Sequence, residues 1–181
     1  MDDARERFSR TVLPHLGAAY NLARWLLRDA HDTEDVVQDA MLRALRSFGS
    51  LRGSDARPWL LAIVRNAAFA CLRARRPADL HELDADELDA ALAGSGPDLD
   101  PEALLIRQAE AQMLNEAVAA LPVVYREALI LRELEDLSYR EIAHVTDVPI
   151  GTVMSRLARA RRLLAQSLSA IAAASEREPH R

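Results

Sequence analysis

The 181-residue chain contains very little cysteine and no lysine, and both gaps limit what it can be. Cys71 is the only cysteine, which excludes an intrachain disulfide and a cysteine-based zinc site. All 23 basic residues are arginine, so these cations are planar forks suited to phosphate. The start, MDDARERF, is charged and no apolar run approaches about 18 residues. The sequence therefore predicts neither a signal peptide nor a membrane span, and it favours a cytoplasmic location.

The sequence also lacks the motifs of common enzymes. Its five histidines fall in different predicted elements without ligand spacing, and no HExxH, GxSxG, P-loop or GxGxxG pattern occurs. Cys71 lies among apolar residues of a predicted helix, which favours a small core residue over a nucleophile. We therefore expect no catalytic site, no metal site and no cofactor.

Charge is distributed unevenly along the chain, whose formal net charge is −5. Residues 1–76 carry a net charge of +4, residues 77–101 carry −8 without any basic residue, and residues 102–181 carry −1. Proline stands at both ends of 77–101, and like charges extend such a segment. The sequence thus predicts one domain at 1–76, a flexible acidic linker at 77–101 and a second domain at 102–181. Local basic faces in the two domains can still bind phosphate groups, although the net charge of the whole chain is negative.

Helical periodicity organises the first domain, and the sequence shows no strand alternation of useful length. One apolar face comprises Phe8, Leu13, Leu16, Tyr20, Ala23 and Leu27. A second helix is predicted over 32–48, with Asp32 or Thr33 as its cap and an apolar stripe from Val36 to Phe48. Its opposite, mostly polar face comprises Glu34, Asp35, Gln38, Asp39, Leu42, Arg43 and Arg46. From the pattern alone, this face is either a solvated surface or a docking surface.

A loop rich in turn-forming residues, 49–55, separates this helix from the next. The next helix is predicted to begin at Pro58 and to end at Arg76, before Pro77. Its first half is apolar nearly all round, so Trp59 is predicted to lie in the core rather than to stack on a ligand. Its second half exposes an edge suited to phosphate, formed by Arg65, Asn66, Arg73, Arg75 and Arg76.

The second domain ends in a predicted helix-turn-helix at 138–162. Asp100 and Pro101 predict the start of a first helix through 121, and Pro122 begins another. Ser138 and Glu141 then form a capping-box pattern before a turn at 146–149. The last helix has an apolar stripe of Val153, Leu157, Ala160, Leu164 and Leu168. Its outward residues suit a DNA major groove: Thr152, Met154, Ser155, Arg156, Arg159 and Arg162.

The chain resembles the extracytoplasmic-function sigma factors of bacterial RNA polymerase in three ordered segments: DTEDVVQDAMLRALRSF, RPWLLAIVRNAAFACLRARR and ALPVVYREALILRELEDLSYREIAHVTDVPIGTVMSRLARARRLL. The resemblance extends from about Phe8 to Leu168. It implies an all-α protein of two small helical domains, sigma region 2 and sigma region 4, joined by the acidic linker. It also implies core RNA polymerase and promoter DNA as partners, with an anti-sigma factor as a further partner.

The resemblance assigns roles to particular residues. The polymerase-docking set is Asp35, Gln38, Asp39, Leu42 and Arg46. The minus-ten set is Arg52, Gly53, Ser54, Asp55, Arg65, Asn66, Arg73, Arg75 and Arg76. The minus-thirty-five set is Ser138, Tyr139, Arg140, Thr152, Met154, Ser155, Arg156 and Arg159. Met154 departs from the family pattern, because many members carry Lys or Arg there. Its side chain cannot bond a guanine edge, so we expect apolar contact or none.

Two other functions stay open at the level of sequence. The first is a stand-alone helix-turn-helix regulator that binds DNA as a dimer without polymerase. Such a regulator has no need of the 32–48 helix and its acidic face. The second is a protein that mimics a sigma factor and sequesters its partners. The residues identify neither the promoter nor the inducing stimulus.

Overall fold

The computed structural model describes residues 2–51, 53, 55–75 and 101–175, and these residues form helices without any strand. Their eight α-helices are α1 (Asp2–Val12), α2 (Leu16–Leu27), α3 (Ala30–Ser47), α4 (Ala56–Ala74), α5 (Pro101–Ala119), α6 (Val123–Glu133), α7 (Tyr139–Thr146) and α8 (Ile150–Ser175). Short 3₁₀ turns lie at Leu13–His15 and Phe48–Ser50. The predicted all-α class is confirmed. Residues 77–100 of the predicted linker lie outside the described residues. Within the described ranges, no helix has both the length and the apolar character needed to cross a bilayer.

The α1–α2 segment packs differently from the predicted face. Leu13 and Leu16, predicted to be buried, are 45% and 40% exposed. The reason is the 3₁₀ turn around Pro14, which changes the phase of the helix between α1 and α2. The other predicted residues Phe8, Ala23 and Leu27 are buried, and Tyr20 is half-buried. Val12 and four further residues of α2 are buried beside them: Ala19, Leu22, Trp25 and Leu26. The sequence pattern assumed one continuous helix here, and this assumption was wrong.

Helix α3 begins earlier than predicted, because Asp29 is its N-cap. The Asp29 carboxylate accepts a hydrogen bond from the Asp32 backbone N–H at 2.8 Å. Thr33, the other predicted cap, is fully buried and donates its hydroxyl to the Asp29 carbonyl at 2.5 Å. Arg28, in the left-handed conformation with φ 58°, ends α2 directly before this cap. Helices α2 and α3 are therefore joined by a tight connection that fixes their relative direction.

Helix α4 supplies the centre of the N-terminal unit, α1–α4. Its N-cap is Asp55, which accepts from the Arg57 N–H at 3.0 Å, so the helix begins two residues before the predicted Pro58. Pro58 fits within the first turn, where an N–H has no helical partner to lose. Leu60, Leu61 and other α4 residues are buried against α2 and α3. Trp59 is partly buried and packs against the core, as predicted.

The C-terminal unit, α5–α8, contains the helix-turn-helix. Ser138 caps α7 with both hydrogen bonds of a capping box, as the sequence predicts. Asp147, with φ 53°, ends α7, and α8 begins at Ile150 after Pro149. The predicted apolar stripe of α8 is buried at Val153, Leu157 and Ala160 and half-buried at Leu164 and Leu168. This stripe holds α8 against α6 and α7.

The two units pack directly against each other. Helix α2 contacts α6 and helix α4 contacts α7, so buried residues of both units form one continuous core. Arg126 of α6 donates across the boundary to the Leu26 carbonyl at 3.3 Å, and Arg28 donates to the Ala119 carbonyl at 3.2 Å. The sequence predicted two bodies connected by a linker and did not predict this direct contact.

Candidate functional site

The outward face of α3 is fully open to solvent. Each residue of the predicted docking set is exposed: Asp35, Gln38, Asp39, Leu42 and Arg46. Leu42, at the centre of this set, is 53% exposed. Asp39 pairs with Arg43 at 2.8 Å, with both side chains about half exposed. An acidic rim around an exposed leucine is a surface that can bind another protein.

The predicted minus-ten loop is described only in part. Arg52, Ser54 and Arg76 lie outside the described residues. Gly53 is exposed with φ 93°, a conformation that favours glycine. The Asp55 carboxylate is occupied as the α4 N-cap. Asp55 therefore has a structural role that is sufficient to explain its presence next to this loop.

The phosphate edge predicted on α4 divides into exposed and engaged residues. Asn66 and Arg73 are exposed. The Arg75 guanidinium pairs with Asp32 and lies 3.9 Å from Asp29. Arg75 thereby anchors the end of α4 to the start of α3.

Arg65 is the most constrained of the predicted α4 contacts. Its side chain is only 18% exposed, and its Nε donates to Glu127 Oε1 of α6 at 2.8 Å. Its guanidinium lies over the Phe69 ring, 4.3 Å from the centroid, and its Nη1 donates to the Asn66 amide oxygen at 3.3 Å. In this arrangement Arg65 is turned toward the C-terminal unit and away from solvent.

The helix-turn-helix presents its predicted groove residues unequally. Arg140, Met154, Ser155 and Arg159 are exposed, and Met154 is 53% exposed. Thr152 and Tyr139 are partly buried, and Ser138 is exposed with its hydroxyl used in the α7 cap. The remaining member, Arg156, is partly buried: its Nη1 lies 3.7 Å from Glu127 Oε2. Of the exposed members, Met154, Ser155 and Arg159 lie on α8 away from its buried stripe, and Arg140 lies on α7.

Glu127 is a central residue that the sequence interpretation did not select. It is fully buried, and Arg65 and Arg156 approach its two carboxylate oxygens from different helices. Burial raises the pKa of Glu127, while the hydrogen bond from Arg65 and the charges of both arginines oppose that increase. Among the described residues, Oε2 of Glu127 and Nη1 of Arg156 have no hydrogen-bond partner, so these two groups interact at 3.7 Å by charge attraction without a hydrogen bond. The sequence signal that could have identified Glu127 was the position of this single acidic residue within the apolar run of α6.

Arg126, next to Glu127, is a buried cation held by carbonyl groups. Its Nη1 donates to the carbonyl of Ala119, the last residue of α5, at 2.5 Å and to the carbonyl of Leu121 at 3.1 Å. Burial and the nearby charge of Arg28 lower the pKa of Arg126 to about 10. The C-terminal ends of α2 and α5 carry partial negative charge, and they stabilise the Arg126 guanidinium as a carboxylate would.

Throughout the described part of the chain, His, Cys, Asp and Glu side chains do not gather in groups of three or more that could hold a metal ion. Cys71 is half-buried, and its Sγ lies 3.6 Å from Asp32 Oδ2. Burial and the charges of Asp29 and Asp35 raise the pKa of this thiol, which disfavours the reactive thiolate.

Two family models match the chain: Sigma-70 region 2 over residues 11–77, and Sigma-70, region 4 over residues 111–164. The ECF RNA polymerase sigma-E factor of Escherichia coli (strain K12) is 39% identical over 140 residues, which cover 74% of this chain and 72% of that protein. The RNA polymerase sigma-H factor of Pseudomonas aeruginosa is 36% identical over 172 residues, which cover 91% of this chain and 87% of that protein.

Solved structures match over a similar length. The sigma factor RpoE, in complex with the anti-sigma factor NepR from Bartonella quintana, has a TM-score of 0.68 and 28% identity, covering 91% of this chain and 98% of that chain. CnrH, in complex with the cytosolic domain of CnrY, has a TM-score of 0.63 and 24% identity, covering 92% of this chain and 90% of that chain. The second likeness concerns the fold alone.

Proposed function

This chain belongs to the extracytoplasmic-function sigma factors of the sigma-70 family, and we propose that it binds core RNA polymerase through α3 and directs the enzyme to promoters through α4, α7 and α8. Catalysis then stays with the polymerase, in the cytoplasm. The observation that carries the docking proposal is the exposed α3 face, where Leu42 is surrounded by Asp35, Gln38, Asp39 and Arg46. The family membership favours this function over a stand-alone regulator.

Promoter recognition is divided between the two units in this proposal. Asn66 and Arg73, exposed on α4, suit a minus-ten strand whose bases are unstacked. Arg159 and Ser155, exposed on α8, suit the major groove of the minus-thirty-five element and its flanking phosphates. Arg140, exposed at the start of α7, suits the phosphate backbone beside that groove.

An anti-sigma factor is a further proposed partner. The relative from Bartonella quintana was solved in complex with such a protein, and it matches this chain across nearly its whole length at 28% identity. We infer that this chain is controlled in the same general way. Co-purification from cells that express a tagged form of the chain tests this, and a partner that blocks transcription in vitro is the expected result.

Run-off transcription with purified core polymerase tests the function itself. We expect the chain to produce promoter-dependent transcripts that core enzyme alone does not produce, across a library of promoter fragments. A gel shift without polymerase tests the stand-alone alternative. No promoter-dependent product together with tight binding of the isolated chain to duplex DNA would contradict the sigma-factor assignment.

Asp35→Arg tests the docking face. Reversing this exposed charge on α3 should weaken binding to core polymerase by at least about 1 kcal/mol, or roughly fivefold, because the change replaces an anion of the proposed interface with a cation. Affinity is measured by fluorescence anisotropy of labelled chain. Glu110→Arg, an equal charge change at an exposed position of α5, is the control and should leave affinity unchanged. Equal affinities for both variants would contradict the docking assignment.

A further inference from the structure

A cleft of about 330 Å³ lies between the first turns of α1 and the C-terminal end of α3. Its lining is mostly apolar and is formed by Ala4, Arg5, Arg7, Leu45, Phe48, Gly49 and Leu51. We call it the α1–α3 cleft. Its volume is at the small end of the range for ligand pockets, about 300–1,000 Å³, which suits one or two side chains of a partner. None of the lining residues belongs to the polymerase-docking set or to the DNA-binding sets.

Phe48 forms one wall of the cleft, and local contacts hold its ring in place. The Phe8 ring packs against it edge to face, with the centroids 5.4 Å apart and the planes at 82°. The Arg7 guanidinium lies 6.0 Å from the Phe48 centroid. The Leu51 N–H donates to the Phe48 carbonyl at 3.1 Å, which closes the 3₁₀ turn after α3. The cleft is therefore formed in the free chain, and a partner does not need to order it.

The cleft is continuous with the proposed docking face of α3. Leu42 of the docking set and Leu45 of the cleft are three residues apart, so they are neighbours on the helix surface. Leu42 is 53% exposed and Leu45 is 45% exposed. Adjoining large apolar side chains that face solvent are typical of a surface that another protein covers. The partner that covers Leu42 is thus placed to reach the cleft as well.

The charged residues of the cleft are both basic. Arg5 and Arg7 line it, and both are exposed. A guanidinium binds a carboxylate through two parallel hydrogen bonds, so an acidic partner segment is complementary to this edge.

A nucleobase fits the cleft less well. Protein–DNA interfaces are more polar than this lining. Phe48 is the only aromatic residue of the lining, and Phe8 and Arg7 already contact its ring, so it is not a free surface for stacking a base.

We propose that the α1–α3 cleft is a second part of the polymerase-docking surface and receives a large apolar side chain of core RNA polymerase, next to an Asp or Glu that pairs with Arg5 or Arg7. The inference rests on the proposed function and adds a binding site to it. An apolar side chain that enters a preformed pocket is the usual form of an interface hot spot. Docking through both surfaces buries Leu45, which docking through the α3 set alone leaves in water.

Gly49→Leu is the main test variant, because it adds an apolar side chain to the lining. A Cβ at Gly49 meets no atom within 4 Å, so the substitution does not clash with the fold. The matched control is Gly17→Leu, at an exposed glycine of α2 with equally open surroundings. Circular dichroism and urea denaturation establish that each variant is folded. Affinity for purified core polymerase is measured by anisotropy without DNA. We expect Gly49→Leu to bind roughly tenfold more weakly and Gly17→Leu to match the parent.

Leu45→Ala removes a wall of the cleft instead of filling it. Its control is Leu16→Ala, which truncates a leucine that is 40% exposed outside the cleft. Leu45→Ala should weaken core binding by about fivefold, and Leu16→Ala should not change it. If Gly49→Leu does not fold, this pair of variants decides by the same measurement.

Arg5→Glu and Arg5→Gln test the charge of the partner segment. If that segment is acidic, the reversed charge should weaken core binding more than the neutral side chain does. The difference between the two variants should shrink as salt concentration rises, because it is electrostatic. Equal affinities of Arg5→Glu, Arg5→Gln and the parent would overturn the proposed acidic contact.

Photo-cross-linking identifies the occupant directly. A benzoylphenylalanine replaces Ala4, an exposed residue of the lining, and the variant is irradiated in complex with purified core polymerase and a single-stranded minus-ten oligonucleotide. We expect cross-links to one polymerase segment in which a large apolar residue is next to Asp or Glu. Cross-links to the oligonucleotide, together with parental core affinity of Gly49→Leu, would assign the cleft to nucleic acid and overturn the inference.

Failure of the proposed function has a different signature from failure of this inference. The function fails if the parent chain neither binds core polymerase nor produces promoter-dependent transcripts. The inference alone fails if the parent binds and Asp35→Arg weakens binding, while Gly49→Leu and Leu45→Ala bind core polymerase as tightly as the parent.

Discussion

At the scale of single residues, Met154 is the only predicted groove residue of α8 that has no hydrogen-bond donor; the others are Thr152, Ser155, Arg156 and Arg159. It is 53% exposed at the proposed groove surface, next to Ser155, and it offers no hydrogen-bond donor. Met154→Arg supplies a fork that can bond the O6 and N7 acceptors of guanine. We expect a gain of about 1–3 kcal/mol in preference for guanine at one position of the minus-thirty-five element. Competition binding over a library of duplexes in complex with polymerase measures this preference.

The control for Met154→Arg is Ala158→Arg, at another exposed position of the same helix. This control should raise affinity for all sequences through phosphate attraction, without a new base preference. An equally uniform gain for Met154→Arg would show that residue 154 does not face a base edge.

Arg126 provides a second prediction at this scale. Its guanidinium donates to the carbonyls of Ala119 and Leu121 in the C-terminal unit and to the carbonyl of Leu26 in the N-terminal unit. Lysine keeps the buried charge but cannot reach these oxygens together, so Arg126→Lys should lower the free energy of unfolding by about 1–3 kcal/mol. Urea denaturation measures the change. Arg162→Lys, at an exposed position of α8, should change it by less than about 0.5 kcal/mol. Equal stabilities for the two variants would contradict the assigned role of Arg126.

The sequence predicted exposure at this scale better than it predicted pairing. The outward position of Asp35 and Leu42 follows from the helical repeat, which is a local property, and the structure places both on the surface. The pairing of Arg65 with Glu127 joins residues 62 positions apart, and periodicity contains no information about such a partner. Arg156 was predicted to face the groove from its spacing, and its approach to Glu127 has the same long-range origin. The proposed roles of these arginines in DNA binding stay predictions.

At the scale of elements, the capping box of α7 sets the start of the helix-turn-helix. The Ser138 backbone N–H donates to Glu141 Oε2 at 2.7 Å, and the Glu141 N–H donates to the Ser138 hydroxyl at 3.3 Å. Ser138→Ala should lower the free energy of unfolding by about 0.5–2 kcal/mol near neutral pH. Ser155→Ala is the control, since that exposed hydroxyl bonds only within α8 in the described contacts, to the Thr152 carbonyl. Urea denaturation of both variants provides the measurement.

The same cap gives a pH dependence of defined sign. Hydrogen bonds from Ser138 hold the pKa of Glu141 below its ordinary value of 4.5, with a further contribution from the charge of Arg57. Because the pKa of this carboxylate is lower in the folded chain than in the unfolded chain, the group stabilises the fold at pH values above its unfolded pKa. This stabilisation is lost as the pH falls through the folded pKa. The difference between the parent chain and Ser138→Ala should therefore be largest near neutral pH and smaller below about pH 4. A difference that grows on acidification would contradict the assigned cap.

Element boundaries were predicted well where a local signal was strong and poorly where two signals competed. The Ser138 cap was predicted correctly because hydroxyl and carboxylate have capping-box spacing. For α3, Asp29, Asp32 and Thr33 are all capable caps, and the left-handed Arg28 just before Asp29 decides among them. In the α1–α2 segment the burial of Leu13 and Leu16 was predicted wrongly, because the 3₁₀ turn at Pro14 breaks one helix into two.

At the scale of the whole molecule, the contact between the two units is the feature that sequence could not predict. Each unit has helices with apolar faces, and periodicity identifies such faces without saying which ones meet. Arg28 and Arg126 were not selected from the sequence, yet they donate to carbonyls across the boundary. The acidic stretch at 77–101 suggested separation, and its described neighbours on either side nonetheless form one core.

A shared core predicts cooperative unfolding, and the positions of the two tryptophans allow a test. Trp25 and Trp59 both lie in the N-terminal unit, so tryptophan fluorescence reports on that unit, whereas far-ultraviolet circular dichroism reports on helices of both. If the units unfold together, the two signals should give coincident urea transitions in the parent chain. The double variant Glu127→Gln with Glu135→Gln removes two buried carboxylates that pair with Arg65 and Arg57 of α4. Its transitions should therefore separate, with fluorescence and dichroism giving different midpoints. Glu133→Gln, which removes an exposed carboxylate paired with Arg161 inside the C-terminal unit, should keep them coincident. Separate transitions in the parent chain itself would show that the contact between the units is too weak to couple them.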